Sequence, residues 1–207
     1  MINNYLNGLQ TTLGLFAVTL FCSVLLSFVV LFLYQQRFLA VFIRIYIYVM
    51  RATPLLLQII FIFYGLPFFG IVFDRWFAAG LAFSLNYAAY FAEILRGGIQ
   101  SLDKGQSEVA QVLGLSRFFT FRKVLLPQAL INTFPAISNE VLTLIKDTAL
   151  ISVVGLADLL KVSRSLVNAT ASIMPFLTVG IIYLIMNALL TYLLTRIEKR
   201  LLALKGV

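Results

Sequence analysis

Apolar residues run from Leu13 to Tyr34 without a single charge. At about 1.5 Å per residue such a run crosses a hydrocarbon core of about 30 Å, so it reads as a first membrane span, closed by Gln35-Gln36-Arg37. A second run, Phe38 to Tyr64, is interrupted by Arg44 and Arg51. Within it, Thr53-Pro54 has the form of an N-cap followed by proline at the first helical position. Pro54 to Tyr64 alone would reach only about 16 Å. Two readings follow: the helix starts before Pro54 and kinks there, or it continues past Gly65-Leu66-Pro67 toward Phe73. A third span is predicted from about Trp76 to Leu95, with Asn86 and Glu93 inside it or near its end. A fourth starts after Pro127, reaches roughly Leu156 and carries Glu140, Lys146 and Asp147. Asp158 to Ile173 is a mixed, amphipathic connection. The fifth span begins at Met174-Pro175, proline again suiting a first helical position, and ends at Arg196.

The longest polar passage, Arg96 to Pro127, separates the third and fourth spans. Lys104-Gly105-Gln106 precedes a short helical pattern from Ser107 to Leu113, whose apolar side is Val109, Val112 and Leu113, with Glu108 and Gln111 pointing elsewhere. Gly114 suits the left-handed position that ends a helix. Ser116 can cap a second short helix through Lys123. Pro127 then stops this unit and leads into span four. From pattern alone the passage is either an amphipathic turn lying on the membrane surface or a docking knob for a soluble partner.

Composition makes the membrane assignment firm. Of 207 residues, 61% are hydrophobic and only 12% charged, about half the charge of an ordinary soluble domain. A compact water-soluble unit of this size cannot hide so much apolar surface. The net charge of +8 with no histidine is read as positive residues flanking membrane spans rather than as a nucleic-acid surface. Without histidine there is no imidazole acid–base chemistry. The single cysteine, Cys22, allows no disulfide within the chain and no metal cluster. The start of the chain, MINNYLNGLQTT, lacks the positive segment of a signal peptide, and the apolar run behind it is too long for one, so it is expected to be a retained span. The chain reads as one transmembrane domain from 1 to 207, with no internal repeat.

The lysines and arginines choose an orientation. Arg37, Arg44, Arg51, Arg96, Lys104, Arg117, Arg122, Lys123, Arg196, Lys199, Arg200 and Lys205 fall on or near one side, and only Arg75, Lys161 and Arg164 on the other. The positive-inside rule places the N-terminus outside, the C-terminus in the cytoplasm and the Arg96–Pro127 passage in the cytoplasm.

That passage resembles a known motif. Glu108-Val109-Ala110, three residues, Gly114, nine residues, then Val124-Leu125-Leu126-Pro127 is similar to the EAA loop of ABC importer permeases, departing from it at Val109 (for alanine) and Val124 (for isoleucine). Arg51-Ala-Thr-Pro-Leu-Leu, Tyr64-Gly-Leu-Pro67, Ala89-Tyr-Phe-Ala-Glu-Ile-Leu-Arg-Gly-Gly98, Lys104-Gly-Gln106, Leu126-Pro-Gln-Ala129 and Lys146-Asp-Thr148 resemble the polar amino acid branch of that family. The resemblance implies an all-α membrane protein of about five transmembrane helices, with a cytoplasmic coupling-helix loop at about 97–127 between spans three and four, the MetI-like permease architecture. It implies a multi-pass subunit of the bacterial inner membrane that is not itself an enzyme. No G-x-x-x-x-G-K-[ST] loop occurs here to cradle ATP phosphates, so ATP and Mg would be bound by two copies of a separate ATP-binding subunit. A second permease subunit, as homo- or heterodimer, and an extracytoplasmic amino-acid-binding protein complete the implied set of partners. Gly105, Glu108, Ala110, Gly114 and Pro127 are the expected coupling residues, the small ones permitting close approach in a partner groove.

Charges inside span four need a reason, because each costs about 2.5–3.5 kcal/mol at a bilayer centre. Glu140 and Asp147 are seven residues apart and share nearly one helix face, with Thr143 between them, while Asn139 and Lys146 form a second stripe one residue round. Either Lys146-Asp147 ties the helix to a neighbour or caps a break in it, or these residues line a path for a solute. Glu140, Asp147, Asn139, Thr143, Lys146 and Tyr90 are the candidate path residues. Acids suit the ammonium of an amino acid or a cationic side chain, and at these positions they resemble the acids lining the site of arginine-type importers in that family; the resemblance implies polar, and among them basic, amino acids moved by alternating access. The alternatives are a channel or ion-coupled secondary carrier that works without an ATPase, and a membrane scaffold that only recruits a soluble partner.

Overall fold

In the computed structural model the described residues run from Ile2 to Leu204. Lys205, counted above among the positive residues, lies outside them, as do both chain termini. Among the described residues all regular structure is helical.

Helix α1, Ile2–Tyr34, is 33 residues long and so begins well before the apolar run. Its buried side carries Gly8, Thr12, Leu15, Thr19, Ser23 and Ser27, spaced three or four residues apart, while Phe21, Leu25, Val29 and Phe32 are exposed. Small side chains let helix backbones approach closely, and the large apolar ones are left for lipid. The pattern therefore fixes which face of α1 meets protein.

Helix α2 covers Ala40–Ala52 and α3 covers Leu55–Ile60. They meet at a bend of 107°. Thr53 ends α2, donating its hydroxyl to the Val49 carbonyl at 2.7 Å, and Pro54 is the N-cap of α3 rather than its first helical residue. The sharp break decides between the two readings of this region. The arm before Pro54 is separate, and the arm after it runs on through a π turn, Phe61–Gly65, and a 3₁₀ turn, Leu66–Phe69.

Helix α4, Arg75–Gln100, is capped by Asp74, whose carboxylate accepts from Trp76 N and Phe77 N. It is the central helix, touching α1, α2, α3 and, later in the chain, the helix over Leu126–Asp147. Ala78, Ala79, Ala82, Ala88, Ala89 and Ala92 are all buried in it, because a helix surrounded by neighbours needs small side chains on several faces.

Helix α5, Gly105–Val112, and α6, Arg117–Thr120, make up the loop. The chain then passes through a second π turn, Phe121–Leu125, directly into α7, Leu126–Asp147. Pro127 does not stop the loop unit, as its position in the sequence suggests; it sits in the first turn of α7 without breaking the helical path. Pro67 and Pro127 share one arrangement. Each follows a π turn that contains the carbonyl four residues back, and the wider i→i+5 pattern passes over the missing N–H and the ring clash.

After α7 comes a 3₁₀ stretch, Thr148–Val154, ended by left-handed Gly155. Helix α8 spans Leu159–Thr170, capped by the buried Asp158. Helix α9, Met174–Leu204, continues as helix past the expected end at Arg196. By length and apolar content, α1 and α9 qualify as membrane-crossing, and the bent α2–α3 pair is a third candidate. Helix α4, 26 residues, and α7, 22 residues, are long enough at about 1.5 Å per residue. Their apolar content is diluted by buried small side chains and by charged ones, among them Glu93, Glu140 and Asp147.

Candidate functional site

The break between α2 and α3 builds one wall of the site. Pro54 has no N–H, so the Met50 carbonyl four residues back has lost its helical donor. Two amides replace it: Gln58 Nε2 donates to Met50 O at 3.0 Å and Asn86 Nδ2 donates to the same oxygen at 2.8 Å. Gln58 Nε2 also reaches Thr53 O and Thr53 Oγ1, and Asn86 Nδ2 donates to Gln58 Oε1 at 3.0 Å. A broken helix inside a bilayer is tolerated when side chains satisfy the freed backbone in this way.

Beside this staple lies a cavity of about 410 Å³, lined by Arg51, Ala52, Thr53, Pro54, Leu55, Asn86, Tyr87, Tyr90, Glu140, Thr143 and Asp147. Three elements supply its polar groups: the end of α2, the middle of α4 and the second half of α7. Tyr87 is almost fully buried and donates its hydroxyl to Asp147 Oδ2 at 2.7 Å. Arg51 extends from the last turn of α2 over the Tyr90 ring, 5.5 Å from its centroid. Its Nη1 is also 3.4 Å from Glu93 Oε1. Glu93 is held more tightly by Arg96, in a two-pronged contact with both distances at 2.7 Å. Arg51 is thus the loosely held cation of the set, and it faces the same space as two carboxylates.

Of the six expected path residues, Tyr90, Glu140, Thr143 and Asp147 line this cavity. Asn139 and Lys146 do not. They are exposed on the neighbouring stripe of α7, about 100° round the helix per residue step. Glu93, at the end of the third span, is committed to the two arginines. Tyr87 has no distinguishing signal in the sequence, since a tyrosine in an apolar run is usually packing. Arg51 and Asn86 are visible as polar residues within apolar runs, but nothing in the sequence joins them to Glu140.

The loop is the second feature. Gly114 has φ +73°, as its helix-ending role requires. Leu115 N donates to Ala110 O at 3.0 Å and Gly114 N to Gln111 O at 2.9 Å, the paired bonds of a Schellman ending. Ser116 Oγ accepts from Phe119 N, capping α6. Val109, Val112 and Leu113 are exposed, as are Phe118 and Phe119. Ala110, expected on the surface offered to a partner, is instead 4% exposed and faces its own chain. Glu108 is exposed, Gly105 begins α5, and Pro127 lies at the start of α7 rather than in the knob. Among the described residues no group of three or more Cys, Asp or Glu side chains is placed to hold a metal.

Residues 23–203 match the family described as the binding-protein-dependent transport system inner membrane component. The chain belongs to this family. The permease is 38% identical over 201 residues to the arginine transport system permease protein ArtQ of Bacillus subtilis (strain 168), covering 95% of this chain and 91% of that one. It is 36% identical over 195 residues to the nopaline transport system permease protein NocM of Agrobacterium fabrum (strain C58 / ATCC 33970), covering 86% of this chain and 81% of the other. Among solved structures, a chain in the crystal structure of an amino acid ABC transporter with histidines superposes with a TM-score of 0.88 at 33% identity, covering 96% and 94% of the two chains. A chain of the MetNI methionine ABC transporter in an inward-facing conformation superposes with a TM-score of 0.82 at 20% identity, over 97% of each, and shares the fold. The permease is therefore an all-helical, multi-pass inner-membrane component of a binding-protein-dependent transport system.

Proposed function

We propose that this permease moves polar amino acids, basic ones in preference, into the cytoplasm. One observation carries the substrate class: a cavity of about 410 Å³ gathers Glu140, Asp147 and Arg51, a volume in the usual range for a small-molecule site. An amino acid presents a carboxylate and an ammonium together. Arg51 is the cation available to the carboxylate, and Glu140 and Asp147 serve the ammonium or a cationic side chain. Two acids facing one arginine leave the cavity net negative, which favours a ligand with an extra positive charge. The arginine permease named above supports the same direction.

In this reading five segments cross the membrane: α1, the bent α2–α3 arm, α4, α7 and α9. The N-terminus is outside, and the C-terminus and the α5–α6 loop are cytoplasmic, as the distribution of Lys and Arg favours. The exposed apolar face of α5 and α6 docks on a separate ATP-binding subunit, two copies of which bind ATP and Mg. A second permease subunit, identical or related, completes the path, and an extracytoplasmic amino-acid-binding protein delivers cargo. Closure of the ATP-binding subunits draws the loops together, and the attached helices rock to expose the cavity to alternate sides.

The test is uptake by proteoliposomes containing the assembled complex, with a panel of labelled amino acids. Uptake is expected to require ATP and the added ATP-binding subunit, and to be strongest for arginine or lysine. Uptake that persists without the ATP-binding subunit overturns the importer reading and returns the permease to a channel or ion-coupled carrier. Strongest uptake of neutral amino acids overturns the basic preference alone.

A further inference from the structure

We propose that the side-chain amides of Gln106 and Gln128 form the joint that delivers movement of α5 to α7, a role that rests on the importer reading above. Gln106 lies in the first turn of α5 and Gln128 in the first turn of α7, 22 residues apart in the chain. Each amide donates to the other: Gln106 Nε2 to Gln128 Oε1 at 3.1 Å, and Gln128 Nε2 to Gln106 Oε1 at 2.8 Å. Gln128 Nε2 also donates to the Val124 carbonyl at 2.9 Å, anchoring the pair to the π turn that leads into its own helix. A reciprocal amide pair resists both separation and twist, because either motion lengthens two bonds at once. The pair is neutral, so it escapes the screening and desolvation that weaken an ion pair near a membrane surface.

The surroundings direct load through this pair. A cleft of about 560 Å³ lies between α5 and the start of α7, bounded by both glutamines and by Val109, Ala110, Leu113 and Val124. Packing between the two elements is therefore incomplete on that side. The covalent route from α5 to α7 passes through left-handed Gly114 and the N-cap of α6, a bent path that transmits displacement less directly than the amides. Past the joint, α7 meets α4 in close contact at Gly98: a Cβ there would overlap Thr133 Cγ2 and stand 3.3 Å from Ala129 O. Glu140, Thr143 and Asp147 lie beyond that crossing, starting about 18 Å along the helix axis from Gln128. Displacement at Gln128 on one side of the crossing becomes displacement of the cavity wall on the other.

The experiment uses the full complex in proteoliposomes, with labelled L-arginine as probe. Arginine taken up per ATP hydrolysed is read alongside capture of the ATP-binding subunit. For Gln106→Ala or Gln128→Ala the ratio is expected to fall about tenfold, the scale set by losing one or two net hydrogen bonds, while capture stays at the wild-type level. Q106A/Q128A together should be no worse than Q128A alone, since both substitutions remove one shared contact and only Gln128 also holds Val124 O. Q106E/Q128K re-forms the contact as an ion pair and should restore the ratio to within about threefold, whereas Q106E/Q128E, with two carboxylates apposed, should not. A wild-type ratio in the single variants overturns the proposal. So does a loss that tracks failed capture, a double variant worse than both singles, or a charge pair that fails to rescue. A wild-type complex showing no ATP-dependent uptake of any amino acid would instead sink the importer reading, so the two failures are distinct.

Discussion

The cavity and the loop are built on opposite rules. In the cavity, ionisable groups sit where an apolar span would be expected, and neighbouring side chains hold them: Asp147 takes the Tyr87 hydroxyl, and Arg51 is placed against Tyr90 and Glu93. In the loop, apolar groups sit outside any apolar run, and Val109, Val112, Leu113, Phe118 and Phe119 are exposed. Burying a charge is costly unless it is paired, and exposing a contiguous apolar patch marks a place for another surface. The first region gathers its polar groups from three elements of one chain. The second leaves an apolar face exposed.

The sharpest way to break the contrast is Leu113→Asp. A carboxylate in the middle of the face proposed above for docking should weaken capture of the ATP-binding subunit by at least about 30-fold. Thermal unfolding of the isolated permease should stay within about 0.5 kcal/mol of wild type, because Leu113 is largely exposed in its own chain. Undiminished capture would mean that this face serves another surface. Next in size is Gln58→Ala, which strips donors from the Met50 and Thr53 carbonyls at the helix break. Unfolding in detergent should register a loss of about 2 kcal/mol, and an unchanged stability would show that Asn86 alone holds the bend. Glu140→Gln keeps the shape of the cavity and removes one charge. Uptake of arginine or lysine should fall about tenfold more than uptake of glutamine; equal loss across substrates would reduce Glu140 to a structural group. The smallest effect is expected from Ser116→Ala. Loss of the α6 cap should cost about 1 kcal/mol of stability and leave substrate preference untouched, which separates the loop's shape from the cavity's chemistry.

Much of the loop is legible in the order of its residues. Gly114 and Ser116 announce the end of one helix and the start of the next, because capping depends on residues within four positions of each other. The inward turn of Ala110 is not legible in this way, since it depends on how α5 lies against the rest of the chain. Nor is the passage of the helical path straight through Pro127, because a π turn leaves no pattern in side-chain polarity. In α7 the two polar stripes are both readable from periodicity. Which stripe meets the cavity is not, and Asn139 and Lys146 lie on the exposed one. Proline at position 54 signals a break, but the angle of 107° and the amides that satisfy it come from residues on α3 and α4.

By itself, then, the sequence determined the membrane character, the rough extent of the apolar runs, the local endings of the loop helices and the presence of costly charges within one run. These are properties of composition and of neighbours a few residues apart. Only the tertiary structure decided that Arg51, Tyr87, Tyr90, Glu140 and Asp147 surround one space, that Asn86 mends a break in another helix, and that Gln106 meets Gln128. Those contacts join residues 22 to 60 positions apart. Such pairings follow from how helices with small-residue faces crowd around α4, a packing outcome that no single stretch of chain specifies.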